Sequence, residues 1–470
     1  MTKIERSALC VYGHFSQPPR GNPLTQVIGV EESAAPNRNW NERVLEACYR
    51  PNAQAGNFQH LSFSFGQALM SWLKRRAPDV YTAVVEADRQ AVAEHGAGLA
   101  LATAYNHIIL PLARKRDQHT QIEWGIAAFE EHYGRRPLGF WLPEMAVDRE
   151  TLIALAEAGI KYTVLAQQQV RSLPLHADAG PYRVDLRKGL RMDVFVRHDR
   201  LSTDLSFNIH NLGGAGRWSH TELVPVRKDV KTLLLATTGE TFGHHFAGEE
   251  QFLYWLVNHE AASVGYEIVS LDSLYARRKT VGAIKIEDPS SWSDERGLAS
   301  WATGQVTARG DTTWRGALRR ALDNVASELD RAYEDQARRC GLDPWALRSA
   351  FAPVLLGAVS AEAFLEERAP GVASADAAAL RDLLSVQELA QRMYSSYGFT
   401  AERLDSPQPR YAIACAAAAL AVAQKATGHD MNDRLISDFP VVASADSAVT
   451  GMDILRSVVA EFDLELNLTQ

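Results

Sequence analysis

Short apolar runs alternate with amphipathic stretches through the first 285 residues, and this alternation constrains the fold more than any other feature of the chain. Ala8 to Tyr12 (ALCVY), Phe140 to Pro143, Lys161 to Leu165 (KYTVL), Thr232 to Thr237 (TLLLAT) and Glu267 to Ser270 (EIVS) read as buried strands. Leu152, Leu155 and Ala156 share one face of a helix over 149–158, which Gly159 stops, and a further helix begins near Glu249. Such alternation is the pattern of βα units around a parallel sheet. Polar residues sit just beyond the strands: His14 after ALCVY, Glu144 after FWLP and Glu240 after TLLLAT. In a β/α barrel, loops after the strands gather at one end and form the active face. An open doubly wound sheet fits the same alternation. No Gly-rich fingerprint follows an early strand, so no bound dinucleotide is expected.

From about Ile286 the character changes. EDPSSWSDERG is a turn-rich junction, after which helical patterns dominate. In Trp314 to Tyr333 the residues Leu318, Leu322, Val325 and Leu329 form one apolar stripe. Helices are also expected over Phe351 to Leu365, Ala377 to Met393 and Tyr411 to Ala426. A chain of 470 residues exceeds what one core supports, so the division is a barrel over 1–285 and an all-α domain over 286–470, packed on the barrel. Its net charge of -8 and lack of basic clusters argue against nucleic acid or an anionic membrane as partner. The amino-terminal segment does not read as a secretory signal, and the longest apolar run, Tyr411 to Ala423, is too short to span a bilayer. Cys10, Cys48, Cys340 and Cys415 form no CxxC pair and read as free thiols, with the cytoplasm as compartment.

Glu144 lies in FWLPEMAVD, where Trp141 offers a ring for sugar stacking and a carboxylate can reach an anomeric carbon. Retaining glycosidases need two carboxyl groups about 5 Å apart, one nucleophilic and one donating the leaving-group proton. Spacing alone leaves a surface or capping glutamate open, and Asp148 reads as the N-cap of the next helix as well as a polar group near the site. The loop TTGETFGHHF (Thr237 to Phe246) brings Glu240, suited to acid/base work or hydroxyl binding, beside His244 and His245. No H-x-x-x-H or H-E-x-x-H spacing is present, so no metal is expected there. Gly239 and Gly243 read as turn residues. His14, Gln17 and Arg20 are candidate hydroxyl-binding groups in YGHFSQPPRGNP, and Trp292 and Trp301 lie at the junction, where their faces would suit a sugar. No G-x-S-x-G elbow points to a serine hydrolase.

Taken in order, GHFSQPPRGNP, NWNERVLEACYRPNA, FSFGQALMSWL, AYNHIILPL, FWLPEMAVD and ATTGETFGHHF, continuing into SSWSDERGLASW and TTWRGALRRAL, resemble glycoside hydrolase family 57. The likeness is to the subgroup whose barrel is followed by a helical domain of unknown function. It implies an incomplete (β/α)7 barrel, no metal or other cofactor, and a retaining mechanism on α-glucans, with Glu144 as nucleophile. The chain departs from the family pattern in three places. Thr238 stands where the family has its aspartate acid/base, Tyr12 stands where a histidine usually opens the first motif, and Asp294, Glu295 and Arg296 replace a Cys- and His-bearing pattern. Three readings follow: a hydrolase or transglycosylase of altered or weak activity, with Glu240 as substitute proton carrier; a glycan-binding protein without turnover; and a metal-dependent sugar deacetylase. Glu144, His14, Glu240 and His244 are expected to line one pocket.

Overall fold

The computed structural model describes residues 7–466 and 468, apart from 175–176, 294–295 and 309. Asp294 and Glu295, singled out above, lie outside the described residues, as do the first six residues of the amino-terminal segment. The chain divides into two compact units, one of 1–17, 29–104 and 129–295, the other of 18–28, 105–128 and 296–470.

Seven parallel strands organise the first unit: β1 (Ser7–Phe15), β2 (Ser62–Phe65), β3 (Ala102–Thr103), β4 (Gly139–Trp141), β5 (Tyr162–Ala166), β6 (Arg191–Arg197) and β7 (Thr232–Thr238). β1 pairs with β2 along one edge, Tyr12 to Phe15 opposite Ser62 to Phe65, and with β7 along the other, Ala8 to His14 opposite Thr232 to Thr238. The β3–β4, β4–β5 and β5–β6 pairs are also parallel. Two joints are thinner. Phe63 links β2 to β3 by donating to Leu99 O (3.0 Å) and accepting from Leu101 N (2.8 Å), and His198 N donates to Leu234 O (2.8 Å) between β6 and β7. The order thus runs from β1 through β7 and returns to β1, the seven-stranded arrangement expected.

Period-two alternation decides which side chains fill this barrel. Cys10 and Tyr12 of β1, Tyr162, Val164 and Ala166 of β5, and Leu234 and Ala236 of β7 share one buried cluster with Trp141 and Phe195. The alternate residues Leu9, Val11, Leu233 and Leu235 are buried as well, which is why these strands read as unbroken apolar runs. The expected last strand, Tyr266–Ile268, pairs with Ser7 to Leu9 at the entry end of β1. After β4, Asp148 caps the helix Arg149–Glu157 by accepting from Thr151 N (2.7 Å), and Gly159 follows at φ 87°.

The second unit is built on four helices: α1 (Trp314–Arg339), α2 (Ser374–Arg392), α3 (Pro407–Thr427) and α4 (Gly451–Glu461). Leu318, Leu322, Val325 and Leu329 of α1 are all fully buried. Residues 412–420 of α3, six of the nine alanine, are buried on every face, so α3 is the central helix and α1, α2 and α4 pack on it. The single helix expected over Phe351 to Leu365 is instead two, Ala352–Leu355 and Ala361–Arg368. Gly357 at φ 73° ends the first, and the Ser360 hydroxyl accepts from Ala363 N (3.1 Å) to start the second.

Candidate active site

Side chains from β1, β2 and β4 form an aromatic and polar stack inside the barrel. Trp141, the last residue of β4, is fully buried; Tyr12 stacks on it at 4.6 Å and His14 at 5.4 Å between ring centroids. Ser64 of β2 ties the two β1 residues together, its Oγ bonded both to Tyr12 OH and to His14 Nδ1 (2.7 Å). Trp292 meets Trp141 edge-on at 5.7 Å, and the Arg197 guanidinium lies over Trp292 at 4.9 Å. Arg197 also donates to Ala236 O (3.1 Å) and to Asp199 Oδ1 (3.0 Å), while burial holds its pKa below the ordinary guanidinium value. Trp141 therefore supports His14 from within the core. Its Nε1 is buried without a hydrogen-bond partner among the described residues.

Glu144 follows on a turn that ordinary side chains avoid. Glu144 has φ 56° and ψ 19°, and Met145 after it has φ 47°. Two successive left-handed non-glycine residues cost on the order of 1–3 kcal/mol each, so the surroundings must impose them. Met145 N donates to Leu142 O (2.8 Å), Ser291 Oγ to Glu144 O (2.9 Å) and Gln169 Nε2 to Met145 O (2.7 Å). Val147 and Ser290 exchange both backbone bonds, at 2.8 and 2.9 Å, and so lock the segment bearing Ser291 beside it. The Glu144 side chain is partly exposed. Asp148, four residues on, is committed to its capping bond; burial, opposed by that bond, raises its pKa.

Glu240, beyond β7, is only 4% exposed, and three protein donors meet it. Oε1 accepts from Ser16 N (2.8 Å) and Tyr49 OH (2.7 Å), and Oε2 accepts from Thr238 Oγ1 (2.8 Å). Gln17 Nε2 donates in turn to Tyr49 OH (3.0 Å). Burial pushes the Glu240 pKa above its ordinary value, and the three donors oppose that rise. The loop folds back on the main chain of this residue: His244 N and His245 N donate to the Glu240 carbonyl O at 3.1 and 2.9 Å, and the His244 ring meets Trp40 edge-on at 6.0 Å. Gly239 serves close packing rather than a turn, because a Cβ there would lie 2.3 Å from the Phe15 ring. Gly243, at φ 128°, does occupy a conformation that other residues rarely adopt.

His14 and Gln17 thus belong to the packed polar shell, Trp141 and Asp148 to its supports, and His244 and His245 to the loop over Glu240. Trp301 belongs to the helical unit, where it is buried and its carbonyl accepts from Arg319 (3.2 Å). Sequence reasoning missed Tyr49, Ser64, Arg197 and Ser291, which hold these groups in place. Only Arg197, a charged residue ending an apolar strand, carried a readable signal. Among the described residues no group of three or more His, Cys, Asp or Glu side chains is arranged to hold a metal ion, and no helix is long and apolar enough to cross a membrane. No disulfide links the four cysteines; Cys10, Cys48 and Cys415 are buried thiols, and Cys340 is partly exposed.

Residues 33–287, more than half the chain, match the model of glycosyl hydrolase family 57. The chain belongs to this family. Residues 311–467 match a second model, a domain of unknown function (DUF3536), so the helical unit carries its own family signature. A curated relative, alpha-amylase 1 of Dictyoglomus thermophilum, is 25% identical over 207 residues, which span 43% of this chain and only 29% of the relative's own length. Among solved structures, the exo-type maltose-forming amylase from Pyrococcus sp. ST04 superposes with a TM-score of 0.71 at 16% identity, covering 89% of this chain and 80% of its own. The family 57 branching enzyme from Pyrococcus horikoshii gives 0.60 at 14% identity, covering 98% and 95%. At these identities the likeness shows the family 57 fold, a (β/α)7 barrel with a helical region.

Proposed function

We propose that this family 57 member is a carbohydrate-active protein of the retaining α-glucan type, with Glu144 as nucleophile and Thr238 at the acid/base position. Ordinary glucans are then cleaved weakly, and glucosyl donors with good leaving groups are preferred. The observation that carries the reading is the hydrogen bond from the Thr238 hydroxyl to Glu240: the residue at the acid/base position holds a carboxylate and has no titratable proton of its own. Family membership, the imposed backbone at Glu144, and relatives named as amylase and branching enzyme support the carbohydrate assignment.

The chemistry follows from the residues present. The Glu144 carboxylate attacks the anomeric carbon, the bond to the leaving group breaks with its electron pair, and a glycosyl-enzyme ester forms. A sugar-alcohol leaving group needs a proton at that moment, and general acid catalysis contributes on the order of a hundred- to ten-thousand-fold. A phosphate or fluoride leaves without one. Water or an acceptor hydroxyl then attacks the ester and loses its proton to solvent, releasing Glu144 as carboxylate and the sugar with retained configuration. Glu240 is a poor substitute donor, because both its oxygens already accept from protein groups.

The test is to incubate the protein with an activated α-glucosyl fluoride and with maltooligosaccharide, measuring turnover of each and the intact mass of the protein. Preferential turnover of the fluoride, with a glucosyl adduct mapped to Glu144, is expected. Saturable oligosaccharide binding with no turnover of either compound would favour a glycan-binding protein. An adduct on another carboxylate would overturn the assignment of Glu144.

A further inference from the structure

One side chain bridges the thin joint between β6 and β7. Arg197, the last residue of β6, is 8% exposed, and its Nη1 donates to Ala236 O of β7 (3.1 Å), two residues before Thr238. Apart from the bond from His198 N to Leu234 O, no backbone hydrogen bond joins these two strands among the described residues.

The same guanidinium reaches towards the β4 side. Its Nε donates to Asp199 Oδ1 (3.0 Å), and its face lies over the Trp292 ring at 4.9 Å. Asp199 Oδ2 accepts from Gln168 N (3.1 Å), and Gln168 Nε2 donates to Trp292 O (2.7 Å). The residues next to these two in the chain hold the Glu144 turn: Gln169 donates to Met145 O (2.7 Å) and Ser291 to Glu144 O (2.9 Å). The contacts form one belt over the carboxyl ends of β7, β6, β5 and β4. Burying a cation costs hydration, which the lowered Arg197 pKa reflects, and a methionine would fill the place without that cost. What a guanidinium adds is a donor edge for Ala236 and Asp199 and a flat cationic face for the Trp292 ring.

We propose that Arg197 is a positioning residue: it fixes the Trp292 segment, and through Ser291 the turn bearing Glu144, against the end of β7 where Thr238 stands. The belt thereby holds one span between the carboxylate beyond β4 and the acid/base position on β7, and a retaining reaction depends on that span. The catalytic consequence rests on the assignment of Glu144 as nucleophile; the restraint on its turn does not. The competing role is purely structural, with Arg197 mending the β6–β7 joint and leaving the Glu144 turn to its own hydrogen bonds. The two roles differ in where the loss of Arg197 is felt: at residues 142–148 in the first, at residues 232–238 alone in the second.

The test uses the full chain with Arg197→Met, Arg197→Lys, Trp292→Leu and the Arg197→Met, Trp292→Leu double variant. Steady-state kcat and KM on an α-glucosyl fluoride are measured beside amide hydrogen exchange, read by mass spectrometry over 142–148 and 232–238. Arg197→Met should lower kcat by about three- to tenfold with KM nearly unchanged, the scale of one lost cation–π contact. It should also speed exchange over 142–148 by at least about threefold. Arg197→Lys, which keeps the charge but not the flat face, should regain part of both. Trp292→Leu should reproduce the Arg197→Met effects, and the double variant should be no worse than the worse single one, because both cut the same belt. The proposal is overturned if Arg197→Met speeds exchange over 232–238 alone and keeps kcat, or if the two single losses add in the double variant. It is also overturned if Trp292→Leu raises KM and keeps kcat, since the ring would then be a surface for sugar. Should Arg197→Met not fold, Trp292→Leu, at a partly exposed position, decides. Should the wild type not turn over the fluoride, the assignment of Glu144 fails, and exchange over 142–148 still decides whether Arg197 restrains the turn.

Discussion

One glutamate follows β4 and another follows β7, yet the barrel surrounds the two carboxyl groups in opposite ways. At Glu144 the constraint is on the backbone: two left-handed residues, held by Ser291 and Gln169, carry a partly exposed side chain. At Glu240 the constraint is on the side chain: an almost fully buried carboxylate with three donors. A nucleophile, the role proposed for Glu144, must be aimed and approachable, which an imposed main chain and a partly exposed side chain allow. A buried charge must be satisfied, so its oxygens are consumed in holding β1, the segment bearing Tyr49 and β7 together. Under the proposed assignment, the same strand-end location would serve reaction in one case and architecture in the other.

The sharpest way to break this contrast is to neutralise each carboxylate in turn. Glu144→Gln should lower turnover of an activated glucoside by at least about a thousandfold, as expected when a nucleophile is removed. Glu240→Gln, which keeps the shape and some of the hydrogen bonds, should lower it less than about tenfold while lowering Tm. Steady-state rates of both variants on one glucosyl fluoride decide the matter. A folded Glu240→Gln protein as inactive as Glu144→Gln would sink the division of roles.

Thr238→Asp is the next largest effect, and it acts on the β7 side alone. The new carboxyl would stand beside Glu240 Oε2, which Thr238 Oγ1 now approaches to 2.8 Å. Two carboxylates that close cannot both ionise readily, so the pair holds a proton to higher pH than either would alone. A proton donor at that place should raise α-glucan cleavage by about a hundred- to ten-thousand-fold. The gain should fade as pH rises through the upper pKa of the pair, because only the protonated pair donates. Rates on one maltooligosaccharide from about pH 4 to 8 measure both features. No gain, with oligosaccharide binding intact, would favour the glycan-binding reading.

What the sequence made legible follows from the period of each element. β1, β5 and β7 are buried on both faces, so ALCVY, KYTVL and TLLLAT stand out as apolar runs. β2 and β3, at four and two residues, are too short for a period to stand out, and β6 carries Arg191 and Asp193. The stripe Leu318, Leu322, Val325 and Leu329 fixed α1 because it repeats over about three turns, whereas Phe351 to Leu365 hid its break until Gly357 and Ser360 could be seen as a stop and a cap. At the site, Glu144 and Glu240 were visible as strand-end carboxylates. Their opposite environments were not, because the donors to Glu240 come from residues 16, 49 and 238, and the restraint on Glu144 comes from residue 291. Such long-range pairings leave no local trace.

Tyr49→Phe sharpens the β7 side at smaller cost. It removes one donor from a buried carboxylate without changing volume much, so a stability loss of about 1.5–3 kcal/mol at pH 7 is expected. Burial raises the Glu240 pKa above its ordinary 4.5, so the folded state favours the protonated form. The stability tied to this group is therefore full below about pH 4.5 and is lost as pH rises through the folded pKa. Removing a donor to the ionised form raises that pKa further, so the loss caused by Tyr49→Phe should grow with pH. Denaturant midpoints of both proteins at pH 4.5 and 7.5 test the sign. An equal loss at both pH values would mean that Glu240 does not change its protonation between them, and a loss larger at the lower pH would reverse the sign assigned to Tyr49.

The smallest expected effect is on the β4 side, at Ser291. Its hydroxyl is buried and donates to the Glu144 carbonyl, so Ser291→Ala leaves that oxygen one donor short and should cost about 1 kcal/mol of stability. A residue that merely packs would show that loss and nothing else. A residue that aims the nucleophile should show a split: kcat on the glucosyl fluoride lower by about three- to tenfold, equivalent to roughly 1 kcal/mol in the barrier, with KM nearly unchanged. The reason is that the left-handed pair Glu144–Met145 would relax toward commoner backbone angles once the carbonyl is released, turning the carboxylate off its line of attack. Gln169→Leu, which frees the carbonyl of Met145 instead, should reproduce the split because it releases the same turn from the other end. If both variants lose stability yet keep kcat, the strained turn is only a feature of the fold, and the contrast between the two glutamates would rest on Glu240 alone.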